Sequence, residues 1–369
     1  MPLPVFRLED FLGVWEFKAP YLLCCSDAES WSLNDIVALA DAETSKLWNN
    51  LRLSYTEVKG LPSLREEIAA MYPSLNSEQI LCFAGAEEGI YCAAMALIEA
   101  GDHAITIRPC YQSLDELPRH SGAAITTISL AEESGWQLDL DAVGRAIQPN
   151  TRIIFINYPH NPTGARLNAA QQKALIDLCR ERNIMIFSDE VYRLLGHPAE
   201  GWTDPMASLY ERGISLGVMS KAFGLAGLRI GWLACTDKAV LKKMENVKHY
   251  ISICNSAPAE ILSLMALRQK DKILKRNNEI VESNLLLLDE FMDRHKEIFS
   301  WVRPDGGCVG FVRYHGRKPI EEFCRALVEE TGVLLLPGTV YDWAQPHFRL
   351  GFGRQNMPDV LSRLDKYVI

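Results

Sequence analysis

Lys221 is an oddly placed lysine. It stands at the end of an apolar run and is followed at once by glycine-rich chain, in Val218-Met-Ser220-Lys221-Ala-Phe-Gly224-Leu-Ala-Gly227-Leu-Arg229-Ile-Gly231-Trp232. Most lysines are solvated surface charges, whereas one buried at a strand end can form a Schiff base with a carbonyl. Arg229, eight positions on, can clamp a phosphate through a bidentate guanidinium. A second run, Ile184-Met-Ile-Phe-Ser-Asp189-Glu190-Val-Tyr192, ends in an acid with a tyrosine three residues later. Such an acid either caps a helix or sits beside a ring nitrogen and keeps it protonated; Tyr192 can then reach a phenolic oxygen on the same ring. In Asn157-Tyr-Pro-His-Asn161-Pro-Thr-Gly164 an apolar run gives way to a proline–glycine loop. An ordinary turn would look the same. At the carboxyl end of a parallel strand, however, such a loop lies where α/β sheets place ligands, and Asn161 can donate to a ligand oxygen. Finally, Cys82-Phe-Ala-Gly85-Ala86-Glu87-Glu88-Gly89 turns a strand into a helix through small residues, and backbone N–H groups at that start suit a phosphate. Glu87 and Glu88 also fit the helix dipole as ordinary first-turn acids, and they would repel an anion that they faced.

The elements that must hold these residues follow an α/β rhythm. Strand-like apolar runs fall at 79–84, 103–107, 124–129, 152–157, 184–188, 214–219 and 229–234, and helical spacing at 35–49, 62–72, 87–100 and 169–182. Buried strands separated by helix-length segments predict a mostly parallel sheet covered by helices on both faces. The texture changes near Asn255. A long helical stretch over 259–296, two short strands around Gly306-Gly307, a helix at 320–330, a strand at 333–336 and a last strand–helix pair predict a smaller α+β domain. The expected division is an N-terminal segment 1–33 that packs on the small domain or over the active site, a large domain 34–255 and a small domain 256–369.

Composition narrows the function classes. With 369 residues, 48% hydrophobic and 23% charged, the chain can bury the cores of two or three domains. A formal net charge of −9 argues against a general nucleic-acid binder or a basic membrane-surface protein, and leaves room for a local anion pocket. The longest apolar run, 90–98, is about half of the roughly 20 residues that a bilayer span needs. The first ten residues lack a basic segment followed by an apolar one, as a secretory signal would have. Ten cysteines without a CxxC pair and eight histidines without ligand spacing indicate reduced core cysteines, a cytoplasmic setting and no structural metal. Cys24-Cys25 has no second pair and is set aside as a metal or redox site.

No GxxxxGK[ST] loop, helix-opening GxGxxG or GxSxG elbow is present. What remains is a lysine for a carbonyl, an acid for a pyridine nitrogen, partners for a phenolic oxygen and an arginine for a phosphate. That set describes a pyridoxal 5'-phosphate site. On these residues the chain resembles the class I/II aminotransferases, pyridoxal-phosphate enzymes of fold type I, over nearly its whole length.

The resemblance implies that Lys221 carries the cofactor and then shuttles the substrate α-proton, with Asp189 on the pyridine nitrogen and Tyr192 and Asn161 on the phenolic oxygen. It implies that Tyr111, in Arg108-Pro-Cys-Tyr, stacks on the ring, and that backbone donors of Gly85, Ala86 and Glu87 join Ser220 and Arg229 at the phosphate. Tyr55, in Ser54-Tyr-Thr-Glu-Val-Lys-Gly60, would reach the phosphate of a neighbouring subunit, so a homodimer is expected. Arg349, in His347-Phe-Arg-Leu-Gly-Phe, would grip the α-carboxylate of an amino acid or 2-oxo acid, with Arg354 as a competitor and Asn161 beside it.

Two departures stand out. Val218 occupies a place where the family often has a phosphate-binding serine, which leaves Ser220 or the backbone to compensate. The N-terminal segment lacks the family's glycine-x-proline substrate loop and instead carries the acids Glu16, Asp27 and Glu29, which either favour a basic side chain or are solvated. The N-terminal half of the chain and Arg303-Pro-Asp-Gly-Gly-Cys-Val-Gly-Phe are also similar to capreomycidine synthases, family members that cyclise a hydroxylated arginine by elimination. The expected activity is transamination of an α-amino acid, with a lyase or cyclase on the same cofactor as the alternative. An aminotransferase-like regulator would need a fused DNA-binding module, for which the short acidic N-terminus leaves no room.

Overall fold

The computed structural model describes residues 2–196 and 198–368. Helix α1 (Arg7–Trp15) and a two-residue strand β1 (Tyr21–Leu22) precede three short helices, α2 (Leu33–Val37), α3 (Ala42–Asn49) and α4 (Pro62–Ala69). The β-rich runs then become β2 (Ile80–Phe83), β3 (His103–Arg108), β4 (Ala124–Ser129), β5 (Thr151–Asn157), β6 (Met185–Asp189), β7 (Gly213–Val218) and β8 (Gly231–Cys235). They form one sheet in the order β2-β8-β7-β6-β5-β3-β4. All pairs are parallel except those of β8, which runs antiparallel to both neighbours. Successive residues face opposite sides, so Phe155 and Phe187 enter one apolar cluster while Ile154, Ile156 and Ile186 enter the other. Helices cover both faces, among them α5 (Ala86–Leu97) and the helix Ala169–Glu181. All ten cysteines are unpaired and nine are buried.

The register of this sheet positions the chemistry. Asn157 lies opposite Asp189, and Asp189 opposite Leu216, so the carboxyl ends of β5, β6 and β7 align and Lys221 follows three residues after β7.

A second sheet combines β9 (Phe299–Trp301), β10 (Val309–Tyr314), β12 (Leu336–Pro337) and β13 (His347–Gly351) in the antiparallel order β12-β13-β10-β9, and β11 (Val333–Leu334) lies outside it. Arg349 stands in its central strand, between Phe311 and Leu336. The expected single strand at 333–336 is therefore two, because β11 turns away to pair in parallel with β1. That pairing joins the N-terminal segment to β11, and Leu8 and Leu12 of α1 line the cavity described below.

Two expected helices are broken. The stretch 35–49 divides at Asp41, whose side chain accepts from Thr44 N at 2.8 Å while Thr44 Oγ1 accepts from Asp41 N at 3.0 Å. This reciprocal capping box satisfies helix-start donors, so a new helix begins there. The stretch 259–296 divides at Gln269 into Ala257–Arg268 and Lys270–Arg294. Its first half is buried on nearly every side and its second half is amphipathic, and a change of direction between them serves both. Arg229 also leaves its expected strand: its φ of 52° turns the chain before β8.

Candidate active site

Asn157 locks the strand ends together. Its Nδ2 donates to Asp189 O at 2.9 Å, and its Oδ1 accepts from Asn161 N at 2.8 Å. Asp189, 4% exposed, accepts from Val191 N at 3.1 Å and has no ion pair among the described residues. Burial pushes its pKa up to about 7. Lys221 Nζ donates to Ser26 Oγ at 2.8 Å and lies 5.9 Å from the centre of the Tyr192 ring. Burial lowers the Lys221 pKa, opposed by Asp27 and reinforced by Arg349. The Tyr192 hydroxyl is buried without a hydrogen-bond partner among the described residues.

These groups open onto one cavity of about 360 Å³. Ala86, Glu87, Tyr111, Asn161, Asp189, Tyr192, Ser220, Lys221, Arg229 and Arg349 all line it. Gly85 borders it as the N-cap of α5. Tyr55 does not line it, and its side chain is 87% exposed.

At the start of α5 the chain builds an anion cradle. Gly85 has φ +95°, and a Cβ there would lie 2.6 Å from an Arg229 guanidinium nitrogen. Glycine therefore lets Arg229 close on the helix N-terminus, where unpaired N–H groups and the dipole favour negative charge. The two acids do not block it. Glu88 turns back to accept from Ala84 N, and Glu87 accepts from Ser113 Oγ, with burial raising its pKa toward the neutral form.

Arg349 marks the other end of the cavity. One guanidinium nitrogen donates to Asn161 Oδ1 at 3.2 Å and to Tyr341 Oη at 2.5 Å, and the other to Cys24 O at 2.7 Å. Its Nε has no partner, and no carboxylate pairs with it among the described residues. Tyr341 also donates to Asn161 Oδ1, at 3.0 Å, so two donors fix the amide's oxygen and leave its Nδ2 free to donate. Arg354 is excluded as a competitor: it pairs with both Asp27 oxygens at 3.0 Å and approaches Glu29 at 3.7 Å. Asp27 and Glu29 are thereby engaged within the protein, while Glu16 lines the cavity.

Sequence reasoning missed Ser26, the Cys24 carbonyl, Tyr341 and the α1 residues Leu8, Glu9 and Leu12. Each reaches the site across a long stretch of chain; Cys24 and Arg349 are 325 positions apart. Only α1 left a local trace, as an amphipathic segment where the substrate loop was missing.

The family Aminotransferase class I and II matches residues 27–364, and the chain belongs to it. It is 27% identical over 355 residues to the capreomycidine synthase of Streptomyces vinaceus, covering 95% of this chain and 90% of that one. Among solved structures, a PLP-dependent aminotransferase from Streptococcus suis matches with a TM-score of 0.93 at 32% identity, covering 100% of this chain and 98% of the other. The PLP-dependent cyclase OrfR matches at 0.91 and 25%, covering 100% and 97%. The chain is thus a pyridoxal-phosphate-dependent aminotransferase of fold type I, and among its described residues no helix is long and apolar enough to cross a membrane. The pocket fits that cofactor: an unpaired buried carboxylate faces it, a buried hydroxyl lacks a partner, and a helix start with an arginine awaits an anion.

Asp189 yields a test with a definite sign. Its folded pKa of about 7 exceeds the ordinary 3.8, so the native state holds a proton that the unfolded chain has released. In the cofactor-free protein this costs stability as pH rises from about 4 to about 7, and the full cost persists above that. Asp189→Asn should raise the Tm of the cofactor-free protein by a few degrees at pH 8, shift it far less at pH 4, and weaken cofactor retention. Thermal melts at both pH values check this; equal shifts at the two would rule out the carboxylate's charge as the cause.

Proposed function

We propose that this enzyme transaminates an α-amino acid with Lys221 as its catalytic lysine. The observation that carries the reading is the convergence of Lys221, Asp189 and Arg349, each without an ion-pair partner among the described residues, on one cavity. When bound, pyridoxal phosphate supplies a carbonyl for the amino group and an electron-withdrawing ring that makes the substrate Cα–H bond acidic. Asp189 would hold the proton on the ring nitrogen, and Tyr192 Oη and Asn161 Nδ2 would hold the phenolic oxygen. Tyr111, which lines the same cavity, would lie against the ring. Arg229, Ser220 and the N–H groups of Gly85, Ala86 and Glu87 would hold the phosphate; Val218 brings no hydroxyl there. Arg349 fixes the α-carboxylate, and Lys221 Nζ takes the α-proton and returns it. A lowered lysine pKa leaves more of the neutral amine at working pH, as a base requires.

A cyclase is the second reading, favoured by the similarity to capreomycidine synthase and OrfR. The two differ in the fate of the amino nitrogen. Transamination moves it to a 2-oxo acid acceptor, whereas elimination and ring closure keep it in the product. Mass analysis of a reaction with a 15N-labelled amino acid separates them.

Further inferences complete the reading. Segments 1–33, 34–255 and 256–369 act as the N-terminal cover, the cofactor domain and the small domain. Ten unpaired cysteines support a cytoplasmic setting. A homodimer is supported by the exposed aromatic and aliphatic side chains of Tyr55, Leu53 and Tyr250, each 87% exposed. Sedimentation at working concentration should give twice the chain mass, and a fully active monomer would contradict the role of Tyr55.

Arg349 provides the kinetic test. Losing a desolvated carboxylate partner is worth about 2–5 kcal/mol, so Arg349→Ala should lower kcat/KM for amino acids by roughly 30-fold or more. Cofactor content should persist, and turnover of the matching decarboxylated amine should change little. Wild-type kinetics with amino acids would remove Arg349 from the role.

A further inference from the structure

The roof of the cavity carries charge that the reaction does not use. Glu9 lies in α1 and Glu16 caps its end, seven positions apart; at 3.6 residues per turn they fall on one face. Both line the cavity, together with Leu8 and Leu12. Neither has an ion pair among the described residues. Glu9 accepts only from Tyr111 Oη, at 3.3 Å, and Glu16 is pushed toward its protonated form by burial, by Glu9 and by Asp27.

The remaining charges in the cavity have other work. Arg354 holds Asp27, Ser113 holds Glu87, and Asp189 serves the ring nitrogen. Of the cations, Lys221 is the base, Arg229 faces the phosphate cradle and Arg349 has its Nε free at the opposite end. No other lysine or arginine lines the cavity among the described residues. An acidic substrate side chain would therefore find two carboxylates and no cation. A long basic one would lay its aliphatic stem on Leu8 and Leu12 and place its head between the acids.

Resting on the aminotransferase reading, we propose that Glu9 and Glu16 select the substrate, an α-amino acid whose side chain ends in a guanidinium or ammonium group. Arg349 binds its carboxylate and α1 binds its far end.

The test compares L-arginine, near-isosteric but neutral L-citrulline, and L-glutamate on the pyridoxal-phosphate-loaded enzyme, by kcat/KM and by calorimetric Kd. Arginine should exceed citrulline by about tenfold or more, and glutamate should be poorest. Glu9→Gln with Glu16→Gln should bring the arginine-to-citrulline ratio toward one in both readouts, and the charge-preserving Glu16→Asp should retain most of it. Cofactor absorbance and Tm verify that each variant is folded. A ratio unchanged in the double variant, or glutamate equal to arginine, would overturn the proposal while the aminotransferase reading stands. Failure to convert any α-amino acid with the cofactor in place would overturn both.

Discussion

Burying charge without an internal partner is the constraint around which this molecule is built. Asp189 and Arg349 are buried and Lys221 is half-buried, and none has a counter-ion among the described residues. Desolvating an ion costs several kcal/mol, and a group left alone moves its pKa toward neutrality instead. Asp189 rises and Lys221 falls accordingly. In the proposed reading a ring nitrogen supplies the charge that Asp189 lacks and a substrate carboxylate the one that Arg349 lacks. The protein thus holds its strain where ligands relieve it, and binding and stability are coupled through the same few atoms.

The fold keeps these charges apart and aimed. Strand register sets Asn157 against Asp189, while Arg349 comes from the middle of a different sheet. The N-terminal segment joins the two. Cys24 O accepts from Arg349, Ser26 accepts from Lys221, and Ala28 N donates to Lys221 O at 3.2 Å. It passes so close to β13 that a Cβ on Gly351 would lie 1.7 Å from Cys25 O. Asp27 and Glu29, clamped on Arg354, hold this strap in place, which frees Glu9 and Glu16 to face the cavity.

Much of this was legible from the chain. Asp189, Lys221 and Asn161 announce themselves because apolar runs end abruptly in residues that a strand interior would not tolerate. Arg229 and Gly85 read as a pair only weakly, since their contact depends on two positive φ angles that spacing does not encode. Helix breaks at Asp41 and Gln269 escaped hydrophobic periodicity because one capped or redirected residue leaves the pattern on either side intact. Tyr341, Ser26 and Glu9 escaped for another reason. A single hydroxyl or carboxylate gains meaning only from the tertiary contact that brings it 100 or more positions along the chain, as with Glu9 and Tyr111. The acids Glu16, Asp27 and Glu29 looked alike in sequence, and only the Arg354 pairing separates the strap from the roof.

The central claim is that Lys221 is the lysine that carries the cofactor, and the chain offers a demanding control. Lys248 is fully buried, and like that of Lys221 its pKa is lowered by burial, but it bonds to Ser252 and Asn255 outside the cavity. Borohydride reduction of the pyridoxal-phosphate-loaded enzyme, followed by peptide mapping, distinguishes the two. The account predicts a single pyridoxyl label on Lys221 and none in Lys221→Ala. A label on Lys248, or on any other lysine of the loaded wild-type enzyme, would contradict it.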